Sequence, residues 1–165
     1  MTGNTGVLLM AHGTPSSMDE MPEYLRLVRG GRPPSPELVA EMRHNYEAIG
    51  GRSPLTDLTM RQAEALRERL GPDVAVAVGM RNWTPFIAQA LDDLRTAGVA
   101  RVVAIPLAPQ FSTLSIGKYF AAATAALGEG MELIRVDSFY RHPLLFQAFA
   151  ERVQSARPGP GEVVV

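Results

Sequence analysis

Apolar positions along the chain fall into two kinds of run that alternate from end to end. Short continuous apolar runs occupy residues 6–11, 74–79, 101–107 and 132–137, each bounded by turn residues and too short for a helix. Such runs predict strands buried on both faces. Between them the apolar residues recur at helical spacing, so that one face of each segment is apolar. Met21, Tyr24, Leu25 and Val28 form one such face; Leu38, Val39, Met42, Tyr46 and Ile49 form the next. A third helix runs to Leu70, and later faces are Ile87, Ala90, Leu91 and Leu94, then Ile116, Tyr119, Phe120, Ala123 and Leu127, then Leu145, Phe149 and Val153. Start and stop signals agree with these limits. Ser17-Met18-Asp19-Glu20 has the capping-box pattern ahead of Pro22, and Ser35-Pro36, Thr84-Pro85 and His142-Pro143 read as helix openings. Gly30-Gly31, Gly50-Gly51, Gly71-Pro72 and Gly98 read as stops.

Strand–helix alternation predicts an α/β fold: an open parallel sheet of about four strands with helices on both faces. Residues 1–157 account for that domain. Arg157-Pro158-Gly159-Pro160-Gly161 has linker composition, and Val163-Val164-Val165 reads as the opening of another buried strand. Residues 158–165 are therefore expected to be a linker and the start of a strand cut short, the alternative being a short edge strand at a true C-terminus.

In an open α/β sheet ligands bind beyond the carboxyl ends of the strands. The loops expected there are His12-Gly13-Thr14, Met80-Arg81-Asn82-Trp83, the segment 108–113, and Ser138-Phe139-Tyr140-Arg141-His142. That edge gathers the single tryptophan, two of the three histidines, two arginines and several hydroxyls, whereas the opposite loops are poor in such groups. A cleft so lined suits a large flat ligand with a few acidic substituents. Two readings stay open for His12, a functional group at a strand tip or a loop histidine bonded within its own turn. Arg81 is either a carboxylate partner or an ordinary surface arginine.

Composition narrows the classes. With a net charge of -1 there is no electrostatic case for nucleic acid or an anionic membrane. The absence of cysteine excludes disulfides, thiolate metal sites and a cysteine nucleophile within these residues. The first residues lack a signal-peptide pattern and no apolar run is long enough to span a bilayer, so a cytoplasmic location without an integral membrane segment is expected. No G-x-G-x-x-G, Walker loop or G-x-S-x-G is present, and no histidine pair stands at helical metal-ligand spacing. His44 reads as a surface residue.

Four segments in order carry a resemblance: Leu8-Leu9-Met10-Ala11-His12-Gly13-Thr14-Pro15, Asn45-Tyr46-Glu47-Ala48-Ile49-Gly50-Gly51-Arg52-Ser53-Pro54-Leu55, Met80-Arg81-Asn82-Trp83-Thr84-Pro85-Phe86-Ile87, and Ala108-Pro109-Gln110-Phe111-Ser112-Thr113. They resemble the N-terminal half of ferrochelatase, above all the bacterial branch that metallates coproporphyrin III. The resemblance implies one of two similar α/β halves with a porphyrin between them. The histidine and glutamate thought to bind iron and move pyrrole protons would lie in the other half, so the catalytic residues are not assigned here. His12 matches a position where many relatives of this branch carry a metal-facing tyrosine, which makes it a candidate axial ligand to haem iron. Arg29, Tyr46, Ser53 and Tyr119 match porphyrin-contact positions, Arg81 suits a ligand carboxylate, and Asn45 stands where relatives carry an arginine.

Three readings follow. The first is half of a ferrochelatase of haem biosynthesis, with porphyrin and haem as ligands, Fe²⁺ as substrate, no redox cofactor, and a C-terminal half as partner. The isolated chain would then be inactive. The second is a half-length cobalt or nickel tetrapyrrole chelatase acting as a homodimer. The third is a non-catalytic porphyrin- or haem-binding module.

Overall fold

A computed structural model describes residues 4–156. The chain runs β1 (Asn4–Ala11), a 3₁₀ turn (Met18–Glu20), α1 (Met21–Val28), α2 (Pro36–Glu47), α3 (Leu55–Leu70), β2 (Ala75–Met80), α4 (Ile87–Thr96), β3 (Val99–Pro106), α5 (Ile116–Ala126), β4 (Glu132–Arg135) and α6 (Pro143–Ser155). The four strands form one sheet in the order β2-β1-β3-β4, parallel throughout. Leu8 lies opposite Ala77 on one side and Ala104 on the other. After β1 the chain winds outward to β2, then crosses back over β1 to β3 and outward again to β4. The direction of winding reverses between β1 and β3, which is where such sheets open a crevice.

Strand alternation divides the core in two. Leu8 and Met10 of β1 with Val102 and Ala104 of β3 point toward α4 and α5, meeting Leu91, Leu94, Ile116 and Phe120. On the opposite face Val7, Leu9, Ala11, Val76, Val78 and Met80 pack against Ala63 of α3. Close approach of α4 to β2 depends on Gly79, where an added Cβ would stand 2.8 Å from the Ile87 Cα. A third cluster lies beyond the sheet: Met21, Tyr24 and Leu25 of α1 enclose Trp83, with Leu38, Val39, Met42 and Tyr46 of α2 laid against them.

The openings behave as their residues suggest, with one exception. Glu20 Oε2 accepts the Ser17 amide at 3.2 Å, Ser35 Oγ accepts the Leu38 amide at 3.3 Å, and His142 Nδ1 accepts the Leu144 amide at 3.3 Å. Thr84-Pro85 does not open α4. The Thr84–Pro85 peptide is cis and the Pro85 carbonyl accepts the Met80 amide, so the chain stays extended until Phe86, whose amide donates to Gln89 Oε1.

Burial also departs from the apolar pattern at four expected inward positions. Val28 and Ile49 close their helices on the outside. Phe149 and Val153 of α6 are 57% and 58% exposed, and α6 has no buried residue. The cause is shared: helical periodicity reports an apolar stripe, not the presence of something to cover it. β4 stops at Arg135, although the Val136 amide still reaches the Ala104 carbonyl. The expected linker and final strand, residues 158–165, lie outside the described residues. Among the described residues no helix is long and apolar enough to cross a membrane.

Candidate functional site at the carboxyl edge of the sheet

The hydrogen-bond ladder does not end with the strands. Leu107 N–H donates to the Met10 carbonyl at 2.8 Å, Arg81 N–H to Ala11 at 3.0 Å, and Asn82 N–H to His12 at 2.9 Å. Three carboxyl-end loops are thereby fastened together before they diverge. Gly13 makes the turn possible. Its φ is +82°, and a Cβ there would stand 2.8 Å from the Trp83 backbone nitrogen.

His12 sits half-buried at this junction. The Asn82 Nδ2 lies 3.2 Å from both ring nitrogens and donates to the imidazole. Burial lowers the His12 pKa, and the nearby Arg81 charge lowers it further. The ring is therefore neutral at pH 7 with a lone pair to offer. Tyr24 meets His12 edge-on at 6.3 Å between ring centroids and Trp83 edge-on at 6.1 Å. Its phenol is pushed up to about 12, by burial first and then by the neighbouring Tyr46 hydroxyl. Tyr46 and Tyr119 are likewise raised by burial, so all three phenols stay protonated at neutral pH.

Arg81 lies over the Tyr119 ring, 5.4 Å from its centroid. Its Nε is buried and has no hydrogen-bond partner among the described residues. The other structured ion pairs, such as Arg95–Asp92 and Arg101–Glu132, lie on the exposed surface. At the crevice between β1 and β3, His12 and Tyr119 border a cleft of about 320 Å³. His12 closes one end, Leu107, Ala108 and Tyr119 form one wall, and Leu55, Leu58, Thr59 and Gln62 of α3 form the other. A larger hollow of about 630 Å³ lies away from the sheet edge, against α1 and α2, and includes the exposed His44. It shares no residue with the cluster around His12.

The structure brings together His12, Arg81 and Tyr119, and joins Tyr46 to them through Tyr24. Ser53 spends its Oγ on the Leu55 amide at 3.2 Å, where α3 opens beside the cleft. Arg29 closes α1 and Asn45 lies on α2, both exposed; no hydrogen bond or ion pair links either to the cluster among the described residues. Tyr24 and Asn82 are functional neighbours that sequence reasoning passed over. Tyr24 has the spacing of a core residue, which it also is; Asn82 carried a signal only in standing beside Arg81 on a carboxyl-end loop. Among the described residues no group of three or more His, Cys, Asp or Glu side chains converges to hold a metal ion.

A family model described as ferrochelatase matches residues 4–160. The chain belongs to the ferrochelatase family. It is 45% identical to a ferrochelatase of Acidobacterium capsulatum over 155 residues, covering 94% of this chain and 47% of that protein. It is 39% identical to a ferrochelatase of Deinococcus radiodurans, covering 90% and 49% respectively. A coproporphyrin III ferrochelatase of Anoxybacillus flavithermus is 40% identical, covering 90% and 50%. The chain thus spans about half the length of the curated relatives it matches. The four-stranded parallel sheet with six α-helices is consistent with a ferrochelatase domain.

Proposed function

We propose that this chain is the N-terminal half of a cytoplasmic ferrochelatase, which inserts Fe²⁺ into coproporphyrin III or protoporphyrin IX in haem biosynthesis. The observation that carries the proposal is the crevice itself. It joins an apolar and aromatic wall to a neutral imidazole, and over the Tyr119 ring of that wall lies a half-buried arginine whose buried Nε has no partner among the described residues. A flat macrocycle gains affinity by covering such a wall, and its acidic substituents supply the anion that Arg81 lacks.

The described residues do three things on this reading. Leu107, Ala108 and Tyr119 exclude water from one side of the ring. Arg81 receives a carboxylate, and its charge adds to the burial that keeps His12 unprotonated. His12, oriented by Asn82, holds the metal or the product from the N-terminal wall. Fe²⁺ is a substrate here, and the exchange of two pyrrole protons for the metal needs no redox cofactor. The residues lining the cleft include no carboxylate and no histidine besides His12 to receive those protons. The proton acceptors belong to the partner half, as the resemblance implies.

The isolated 165-residue chain is accordingly expected to bind coproporphyrin weakly and to insert iron at background rate. The general-base contribution it forgoes is typically ~10²–10⁴-fold. Anaerobic assay of the purified chain with Fe²⁺ and coproporphyrin checks this: robust turnover overturns the half-enzyme reading. Magnetic circular dichroism of the haem complex checks the ligand, with His12→Tyr and His12→Ala each expected to change the spectrum. An unchanged spectrum in both removes His12 from the iron.

A further inference from the structure

The face of the sheet opposite α4 and α5 is only half covered. α3 lies over β1 and β2, while among the described residues β3 and β4 are met there by α6 alone. Between α6 and the sheet runs an almost wholly apolar groove of about 480 Å³, in which Ile105, Leu107 and Val136 face Leu144, Leu145 and Ala148. α6 also carries a second apolar stripe. Phe146, Phe149 and Val153 follow at spacings of three and four residues, and are 61%, 57% and 58% exposed. At 3.6 residues per turn the two stripes lie roughly 120° apart around the helix. A helix apolar on two sides belongs between two layers. Only one of those layers is present among the described residues, and even that one leaves α6 without a buried residue.

We propose that α6 and the groove beside it are the docking surface for the C-terminal half of the ferrochelatase. This rests on reading the chain as one half of that enzyme. Two observations favour this occupant over a second copy. The relatives carry about as much polypeptide again as this chain matches, so the occupant is a body of domain size. The groove is also continuous with the candidate site, because Leu107 lines both the groove and the cleft that holds His12. The loop entering α6 is fixed to the same edge: the Phe139 and Tyr140 amides both donate to the Pro109 carbonyl, at 3.0 and 3.1 Å. A body seated on α6 therefore stands over the mouth of the cleft, as the second wall of a porphyrin site must.

The test is co-expression of this chain with the tagged second half of the 45%-identical relative. The unaltered chain should co-purify in equal amounts. Phe146→Glu with Phe149→Glu should lower its recovery at least about tenfold, the effect of losing one strong anchor. Circular dichroism and the thermal midpoint of the isolated double variant should not change, since neither side chain is buried. Should the glutamates unfold it, Phe146→Ser with Phe149→Ser carries the same comparison. Equal recovery of the variant overturns the docking surface, as does failure of the unaltered chain to hold the half. A dimer of the chain alone that the double variant abolishes, seen by light scattering, gives the face to a second copy instead. Coproporphyrin fluorescence titration of the chain alone reports on the enzyme reading separately: binding there keeps that reading even if docking fails, and no binding removes it.

Discussion

The two faces of the sheet use similar residues to opposite ends. Against α4 and α5, Leu8, Met10, Val102 and Ala104 are all but inaccessible, and the helices covering them bury Leu91, Leu94, Ile116 and Phe120. On the other face the half beneath α3 is buried as well, but toward β3 and β4 Val103, Ile105 and Leu107 remain partly exposed, and α6 turns two phenylalanines to solvent. Composition does not separate them. What differs is whether the chain returns to cover what it exposes. The closed face holds the fold together; the open one carries the cleft and is free to be finished by something else.

The largest break in that contrast comes from truncating equivalent apolar residues on either side. Leu91→Ala should cost about 2–5 kcal/mol, the range for a fully buried leucine that leaves a cavity. Phe149→Ala should stay within about 0.5 kcal/mol, because a half-exposed ring on an uncovered helix leaves nothing behind to collapse. Urea midpoints of the isolated chain decide it. A comparable loss from Phe149→Ala would mean that α6 is packed in solution after all.

A middle-sized effect is expected at the edge where the two faces meet. Arg81→Ala should weaken coproporphyrin binding about tenfold, the loss of one charge-assisted contact, while barely moving the thermal midpoint, since no carboxylate loses its partner. Fluorescence titration beside a thermal melt separates the two readouts. A large drop in stability with unchanged binding would return Arg81 to the structural side.

The smallest effect is a slope in pH. His12 titrates below its ordinary value of 6.5 because burial and Arg81 both oppose its charged form. The unfolded chain therefore takes up the proton first as pH falls. Stability should be full above about pH 6.5 and decline as pH falls from there toward the lower folded value, then level off. Urea unfolding across that window should lose this component in His12→Gln; an identical profile would show the imidazole to be as well hydrated as in the unfolded chain.

Much of this was legible in the sequence, for identifiable reasons. The four strands announce themselves because each is a continuous apolar run, and the parallel sheet follows from their alternation with helices. The same reasoning places His12 and Arg81 on one edge, whereas Tyr119 reads as one face of a helix and is singled out by the resemblance alone. Other features lie beyond pattern. The start of α4 depends on a hydrogen bond between Met80 and Pro85 that no cap signal encodes. Tyr24 looked like core because its second task, steadying His12, is a matter of how α1 is tilted against Trp83. The apolar stripe of α6 is legible as apolar, but its exposure is not, since burial is a property of two surfaces and the sequence displays one. Arg29 and Asn45 were singled out by resemblance rather than by chemistry, and their backbone positions place both on exposed helix.

His12 and Asn82 stand 70 residues apart, yet the backbone bonds from Arg81 to Ala11 and from Asn82 to His12 weld their loops into one piece, with Gly13 pressed against Trp83. The two loops behave structurally as a single cassette. A change of metal preference sought by replacing His12 alone leaves an Asn82 amide aimed at a group that is no longer there. In engineering, residues 11–15 and 80–83 are therefore best exchanged as a pair, so that the group beside Asn82 and the amide aimed at it change together while the rest of the scaffold stays as it was.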